Sequence, residues 1–124
     1  MACPARILVV DDDPAVRSAL AEALEESGYE VACAADGGDA LAQLHACPPP
    51  QVILLDLAMP VMDGWSFRDA QRRDPSLASI PTVVLSASLP GERGALEALA
   101  PAATLAKPFE LERLIETVQR LCAS

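Results

Sequence analysis

The chain has 124 residues, the usual size of one domain, and this length leaves no room for a second folded domain. Its formal net charge of −9, from 18 acidic and 9 basic side chains, argues against direct binding to DNA, RNA or an anionic membrane. Its 4 cysteines form neither a CxxC pair nor a set with nearby histidines, so neither a zinc site nor a disulfide framework is indicated.

The hydrophobic segments of the chain are short. Apolar runs such as Val52–Leu55 cannot cross a bilayer, and the residues after Met1 lead into acids rather than into the apolar region of a signal peptide. We therefore expect a cytoplasmic protein with reduced thiols and no membrane insertion.

Short apolar runs alternate with longer amphipathic segments along the whole chain. This alternation is typical of repeated strand–helix units, and it predicts a parallel sheet covered by helices on both faces. We count five such units. The predicted strands are Ile7–Val10, Glu30–Ala34, Val52–Leu55, Thr82–Leu85 and Ala103–Leu105.

The first helix has the clearest borders. Asp13 is its predicted N-cap, Pro14 its first residue, and Gly28 follows its end at about Ser27. Its inward stripe is predicted to consist of Val16, Leu20 and Leu24.

The last helix is predicted from about Glu110 to Cys122. Three further helices are predicted at residues 38–45, 65–73 and 92–100. The predicted inward face of the last helix consists of Leu111, Leu114, Ile115, Val118 and Leu121.

Acidic residues stand at the carboxyl ends of predicted strands, where open α/β sheets place their ligand sites. Asp11 and Asp12 end the first strand, and Asp56 ends the third. If these strands are neighbours, the carboxylates converge, and their mutual repulsion calls for a proton or a cation. A hard divalent ion bound through oxygen, Mg²⁺, is the natural occupant. Helix capping accounts for Asp13 but not for Asp11 and Asp12.

Two polar residues follow later strands at the same edge. Lys107 is the only lysine in the chain and lies just after the fifth predicted strand, before Pro108, while Ser86 comes directly after the fourth. The ammonium of Lys107 could pair with a phosphoryl oxygen, or it could simply balance the acidic charge. The hydroxyl of Ser86 could donate to a bound anion.

With Asp11, Asp12, Asp56, Ser86 and Lys107 in this order at separate strand ends, the sequence resembles the receiver domain of two-component response regulators. The resemblance covers about Arg6 to Cys122. The segment Val52–Trp65 is similar to the phosphorylation-site signature of that family, and Lys107-Pro108-Phe109 is similar to its lysine–proline signature.

The resemblance implies a flavodoxin-like (βα)5 fold, a three-layer sandwich whose five-stranded parallel sheet has the order 2-1-3-4-5. Residues 1–124 would then form a single receiver domain with its core at about residues 6–122. We expect the stand-alone, single-domain type of receiver, and the alternative that the sequence leaves open is a piece of a larger hybrid protein.

The resemblance also implies roles for the site residues. Asp56 would be the phosphoacceptor, with Ser86 and Lys107 holding the phosphoryl group. The ligands of Mg²⁺ would be Asp12 and Asp56 directly, Asp11 through water, and the backbone carbonyl of Ala58.

By the same resemblance, the chain would be a bacterial two-component phosphoprotein that receives its phosphoryl group from a sensor histidine kinase or a histidine phosphotransfer protein. It would catalyse only its own phosphorylation and dephosphorylation, and so would not be an enzyme acting on an external substrate. Phosphorylation would change the affinity for a downstream protein target through the face formed by the fourth helix, the fifth strand and the fifth helix.

The sequence departs from the family pattern at Thr104, where an aromatic switch residue is common. A monomer or a weak dimer is expected. Receivers often dimerise through the face between the fourth and fifth helices, and the altered switch position disfavours that dimer.

Three other classes of protein fit the sequence less well. A haloacid-dehalogenase-like phosphatase typically has a second aspartate two residues after the nucleophile, where this chain has Ala58. A flavin- or nucleotide-binding domain would need a glycine- or hydroxyl-rich loop after the first strand, where this chain has Asp11–Pro14. The remaining alternative is a degenerate receiver that acts as a phosphorylation-independent docking module, which only Thr104 favours.

Overall fold

The computed structural model of the chain describes residues 6–46, 50–56, 64–86, 103–106 and 110–122. The described residues form five strands and four helices. In chain order they are β1 Arg6–Val10, α1 Pro14–Glu26, β2 Glu30–Ala34, α2 Gly37–Ala46, β3 Val52–Asp56, α3 Gly64–Arg73, β4 Thr82–Ser86, β5 Ala103–Ala106 and α4 Leu111–Cys122. The helix predicted at residues 92–100 lies outside the described residues.

The five strands form one parallel sheet in the order β2-β1-β3-β4-β5. This order confirms the predicted flavodoxin-like topology. Every residue of β3 is buried, as expected for a central strand covered by helices on both sides. Since β1 and β3 are neighbours, the strands that carry the predicted acidic residues end side by side.

Alternate residues along the strands supply the two halves of the core. Ile7 and Val9 pack with Leu20 and Leu24 of α1 and with Leu114 of α4. Leu8 and Val10 face the opposite way and pack with Leu44 of α2 and Phe67 of α3. The molecule therefore has three layers, with α1 and α4 on one face of the sheet and α2 and α3 on the other.

The borders of α1 agree with the sequence prediction. Asp13 is its N-cap, Pro14 is its first residue, and Gly28 has a positive φ of 96° just beyond its C-cap at Ser27. Leu20 and Leu24 are buried and Val16 packs partly against them, which confirms the predicted inward stripe.

The face of α4 was predicted correctly except at its first position. Leu114 and Val118 are buried and Ile115 and Leu121 pack against the core, whereas the side chain of Leu111 is 43% exposed. Leu111 is the first helical residue, so its side chain lies at the open end of α4 rather than over the sheet. Thr117 is buried instead, and its hydroxyl donates to the Arg113 carbonyl at 2.8 Å.

β2 is an edge strand of the sheet. The Ala34 carbonyl points toward β1, where it accepts from the Asp11 amide at 3.1 Å. The Cys33 carbonyl therefore points outward, and the side-chain amide of Gln43 in α2 donates to it at 2.7 Å.

Cys33 and Cys122 are free thiols, and Cys3 and Cys47 lie outside the described residues. Within the part of the chain that the structure describes, no helix combines the length and the apolar character needed to span a membrane.

Candidate functional site

The parallel register brings the ends of β1 and β3 to the same level. Val10 pairs with Leu55, so the residues that follow them, Asp11 and Asp56, stand at the same height on the carboxyl edge of the sheet. On its other side, Asp56 pairs with Leu85 of β4. The central strands thus deliver two acids to the edge where open α/β sheets bind their ligands.

Three carboxylates meet at this edge. Asp11, Asp12 and Asp56 each offer one carboxylate oxygen, and these three oxygens lie within 4.8 Å of one another. The Asp11 and Asp56 side chains are buried, with 1% and 6% of their surface exposed, whereas Asp12 is exposed. The convergence predicted from the strand ends is therefore confirmed.

Hydrogen bonds fix Asp11 on several sides. Its amide donates to the Ala34 carbonyl at 3.1 Å, and one of its carboxylate oxygens accepts from the Asp13 amide at 2.9 Å. Its own carbonyl accepts from the guanidinium of Arg17 at 2.8 Å. The β1–α1 loop is thereby tied to β2 and to α1 at the point where the carboxylates converge.

Asp13 has a different task from its two neighbours. Its carboxylate accepts from the Ala15 amide at 2.9 Å and from the Val16 amide at 3.5 Å, at the amino end of α1. These amides have no partner within the helix, so Asp13 is a helix cap, as the sequence predicts.

The donor set fits a hard divalent cation. All three converging groups are carboxylates, and two of them are withdrawn from water, so their repulsion is costly unless a cation or a proton lies between them. Mg²⁺ prefers carboxylate oxygens and keeps several waters, which suits a site with one exposed side chain. The cluster is thus compatible with Mg²⁺.

The remaining predicted site residues are described only in part. Ser86 is the last residue of β4 and pairs with Ala106 of β5, so the backbone of both strands ends at the same edge as Asp56. The side chain of Ser86 lies outside the described part of the structure, as do Lys107 and Ala58. Their roles stay predictions.

Arg17 lies next to the site but is not among the residues predicted from the sequence. Its side chain is half-buried and reaches back from the second turn of α1 to the Asp11 carbonyl. The sequence signal for this contact is a basic residue one turn into a helix that follows an acidic loop. That signal is weak, since the partner is a backbone carbonyl, which every residue has.

The fold and the acidic cluster together define a flavodoxin-like α/β domain in which three carboxylates converge at the carboxyl ends of β1 and β3. The sequence model of the response regulator receiver domain matches residues 7–119. The chain belongs to this family, whose members are phosphoacceptor signalling domains.

Individual relatives agree with this assignment. The DNA-binding dual master transcriptional regulator RpaA of Synechocystis is 39% identical over 121 residues, which cover 94% of this chain and 48% of RpaA. The chain spans about half the length of the first curated relatives it matches.

Solved structures show the same fold over nearly the whole chain. The chemotaxis response regulator CheY4 of Vibrio cholerae has a TM-score of 0.87 at 35% identity, with 96% of this chain and 99% of CheY4 covered. The response regulator TrrA of Thermotoga maritima, solved in complex with Mg²⁺-BeF, has a TM-score of 0.82 at 32% identity, with 94% and 98% covered.

Proposed function

We propose that Asp56 accepts a phosphoryl group from the phosphohistidine of a sensor histidine kinase or a histidine phosphotransfer protein. The observation that carries this proposal is the convergence of Asp11, Asp12 and Asp56 at the end of the two central strands of a receiver domain. Of the three, Asp56 is the one that belongs to a strand, so its backbone is held by the sheet.

The same carboxylates are proposed to hold Mg²⁺, with Asp12 and Asp56 as direct ligands, Asp11 acting through water, and the Ala58 carbonyl completing the protein ligands. The bound ion supplies charge neutralisation, which lets an anionic acceptor approach an anionic phosphodonor. The complex of TrrA with Mg²⁺-BeF supports this choice of metal.

In the proposed reaction, a carboxylate oxygen of Asp56 attacks the phosphorus atom. A new P–O bond forms while the P–N bond to the donor imidazole breaks, and the leaving imidazole takes up a proton from solvent. A carboxylate has no proton to lose when it attacks, so this step needs no general base. The Ser86 hydroxyl and the Lys107 ammonium are proposed to bind the phosphoryl oxygens, where charge develops in the transition state.

The chain is proposed to turn over no external substrate and to catalyse only its own phosphorylation and dephosphorylation. The phosphoryl group would bias the face formed by residues 92–100, β5 and α4, and so change the affinity for a downstream protein. We propose that residues 1–124 form a single cytoplasmic receiver domain, with its core at about residues 6–122, that is a monomer or a weak dimer.

The test is incubation with acetyl phosphate and Mg²⁺, followed by intact-mass spectrometry. We expect one phosphoryl adduct that EDTA abolishes and that Asp56→Asn does not form. Asp69→Asn is the matched control, because it makes the same chemical change on the exposed surface of α3 and should leave the adduct intact.

An adduct on the Asp56→Asn variant would contradict the assignment of the phosphoacceptor. If acetyl phosphate and a cognate kinase both leave the parent protein unmodified, the proposal fails. A phosphorylation-independent docking module then becomes the better account of this chain.

A further inference from the structure

The Arg17 side chain connects α1 to the backbone of the acidic cluster. Arg17 lies in the second turn of α1, and its side chain points back toward the amino end of the helix, as helical side chains do. There it donates to the Asp11 carbonyl at 2.8 Å. The backbone of Arg17 is itself held in place, because Asp13 caps the start of α1.

The Asp11 carbonyl belongs to the same peptide unit as the Asp12 amide, and a peptide unit is rigid and planar. The hydrogen bond from Arg17 therefore restricts the rotation of the unit that leads directly into Asp12. A side chain on α1 thus sets the orientation of a backbone segment within the acidic cluster.

Asp12 depends on this support more than the other two carboxylates do. Asp56 is buried within β3, and Asp11 is buried and accepts from the Asp13 amide. Asp12 lies beyond the end of β1 and its side chain is exposed, so packing restricts it least. A fixed peptide unit on its amino side lowers the conformational entropy that Asp12 loses when it binds a cation.

Two roles for Arg17 predict opposite results. As a nearby positive charge, Arg17 would repel a cation, and its removal would strengthen metal binding. As a positioning group, its removal would weaken metal binding. The guanidinium donates to the Asp11 carbonyl oxygen, which is not one of the three converging carboxylate oxygens.

We propose that Arg17 is a positioning residue for Mg²⁺, which acts by holding the Asp11–Asp12 peptide unit in the orientation that the metal site requires. This inference rests on the part of the proposed function that assigns Mg²⁺ to the site. It does not depend on phosphoryl transfer.

The test is calorimetric titration of the metal-free protein with MgCl₂. Loss of an outer hydrogen bond that orients metal ligands typically weakens binding about 10- to 100-fold, and we expect Arg17→Ala to fall near the lower end, about 10-fold. Arg17→Lys keeps the charge but replaces the planar fork with a point donor, so it should show an intermediate affinity.

Arg73→Ala is the matched control. It removes the same charge from an exposed side chain, 79% accessible and paired with Asp69, at the far end of α3. We expect it to keep the parental Mg²⁺ affinity. In acetyl phosphate reactions, Arg17→Ala should raise the Mg²⁺ concentration needed for half the maximal rate by the same factor as the dissociation constant. The rate at saturating Mg²⁺ should change little.

Parental or tighter Mg²⁺ binding by Arg17→Ala overturns the inference, and so does a loss of thermal stability in EDTA without a change in affinity. If Arg17→Ala does not fold, Arg17→Lys tests the inference instead, and it must bind Mg²⁺ more weakly than the parent. A parent that binds Mg²⁺ but is never phosphorylated contradicts the proposed function alone. A parent that binds no Mg²⁺ overturns both.

Discussion

Gly28 ends α1 through its backbone conformation. With a φ of 96°, it donates to the Glu25 carbonyl at 3.0 Å, and the next amide, that of Tyr29, donates to the Leu24 carbonyl at 3.1 Å. This pair of bonds is the Schellman motif, which satisfies carbonyls at the end of a helix. A side chain at position 28 would meet nothing within 4 Å.

Because space is open around Gly28, substitution there tests the backbone conformation alone. We expect Gly28→Ala to lower the free energy of unfolding by about 1 kcal/mol, since an L-residue disfavours positive φ. Gly28→Asn should cost less, because asparagine tolerates this region. Urea unfolding of both variants checks the prediction, and equal losses would contradict it.

Asp74 gives the protein a pH-dependent contact between the end of α2 and the segment after α3. The Ser76 hydroxyl at 2.7 Å, His45 at 3.1 Å and the Ser76 amide at 3.0 Å hold the pKa of the Asp74 carboxyl below its usual value. A lowered pKa in the folded state means that ionised Asp74 stabilises the fold.

The stabilisation of the fold by ionised Asp74 should be fully present above about pH 4, the unfolded-state pKa range for aspartate. It should be lost as the pH falls through the folded-state pKa. We expect the stability difference between the parent and Asp74→Asn to persist above about pH 4 and to shrink in acid. Urea unfolding at several pH values measures it. Ser76→Ala should reduce the same pH dependence, and a difference that is constant with pH would refute this account.

At the scale of whole elements, a buried polar network joins α3 to β4. Gln71 is fully buried, and its amide donates to the Leu77 and Ile80 carbonyls at 3.0 and 3.2 Å. Its side-chain oxygen accepts from Arg68 at 2.9 Å and lies 3.1 Å from the Thr82 hydroxyl. Burial lowers the pKa of the Arg68 guanidinium, and Arg72 acts in the same direction.

Gln71 therefore supports the connection between α3 and β4, and its loss leaves buried polar groups without this partner. We expect Gln71→Leu to lower the free energy of unfolding by about 2 to 4 kcal/mol, because each buried polar group that loses a bond costs about 1 to 3 kcal/mol. Gln119→Leu on the exposed face of α4 is the control and should change stability by less than about 0.5 kcal/mol. Chemical denaturation of both variants decides the point.

The elements that the sequence predicts well are those with a local chemical signal. Continuous apolar runs mark β1, β3 and β4, and a cap, a proline and a glycine mark α1. Burial of Thr117 and Gln71 is not visible in a hydrophobic pattern, because both are polar and become compatible with the core only through their hydrogen bonds. The exposure of Leu111 depends on where α4 begins, which the periodicity of its side chains does not fix.

The same distinction holds for the candidate site. Asp11, Asp12 and Asp56 were predictable because each follows from the end of a strand and from the order of strands in the sheet. The contact from Arg17 to the Asp11 carbonyl was not, since it depends on the distance and direction between α1 and the preceding loop. Sequence patterns locate the three carboxylates, whereas the contacts that hold them in place are visible only in the three-dimensional structure.

For the molecule as a whole, metal binding and folding stability should be linked. A ligand that binds only the folded state stabilises it, by about 1.4 kcal/mol at ten times its dissociation constant. We expect Mg²⁺ to raise the free energy of unfolding of the parent in this way and to do so much less in Asp12→Asn.

In EDTA the sign of the effect should reverse. Asp12→Asn should then be more stable than the parent, because one of three mutually repelling carboxylates has become neutral. Urea unfolding with and without Mg²⁺, at constant ionic strength, gives both comparisons. Equal stabilisation of both proteins by Mg²⁺ would show that the ion acts elsewhere.

The bond between Gln43 and the Cys33 carbonyl has a consequence beyond the domain itself. A border strand with open hydrogen-bonding positions is a template on which a foreign polypeptide can add, and repeated addition leads to aggregates. Gln43 occupies one such position on β2, so an incoming chain must first displace a partner already in place. The Gln43 side chain, which satisfies a carbonyl within one molecule, thereby also disfavours the extension of its sheet into a fibre.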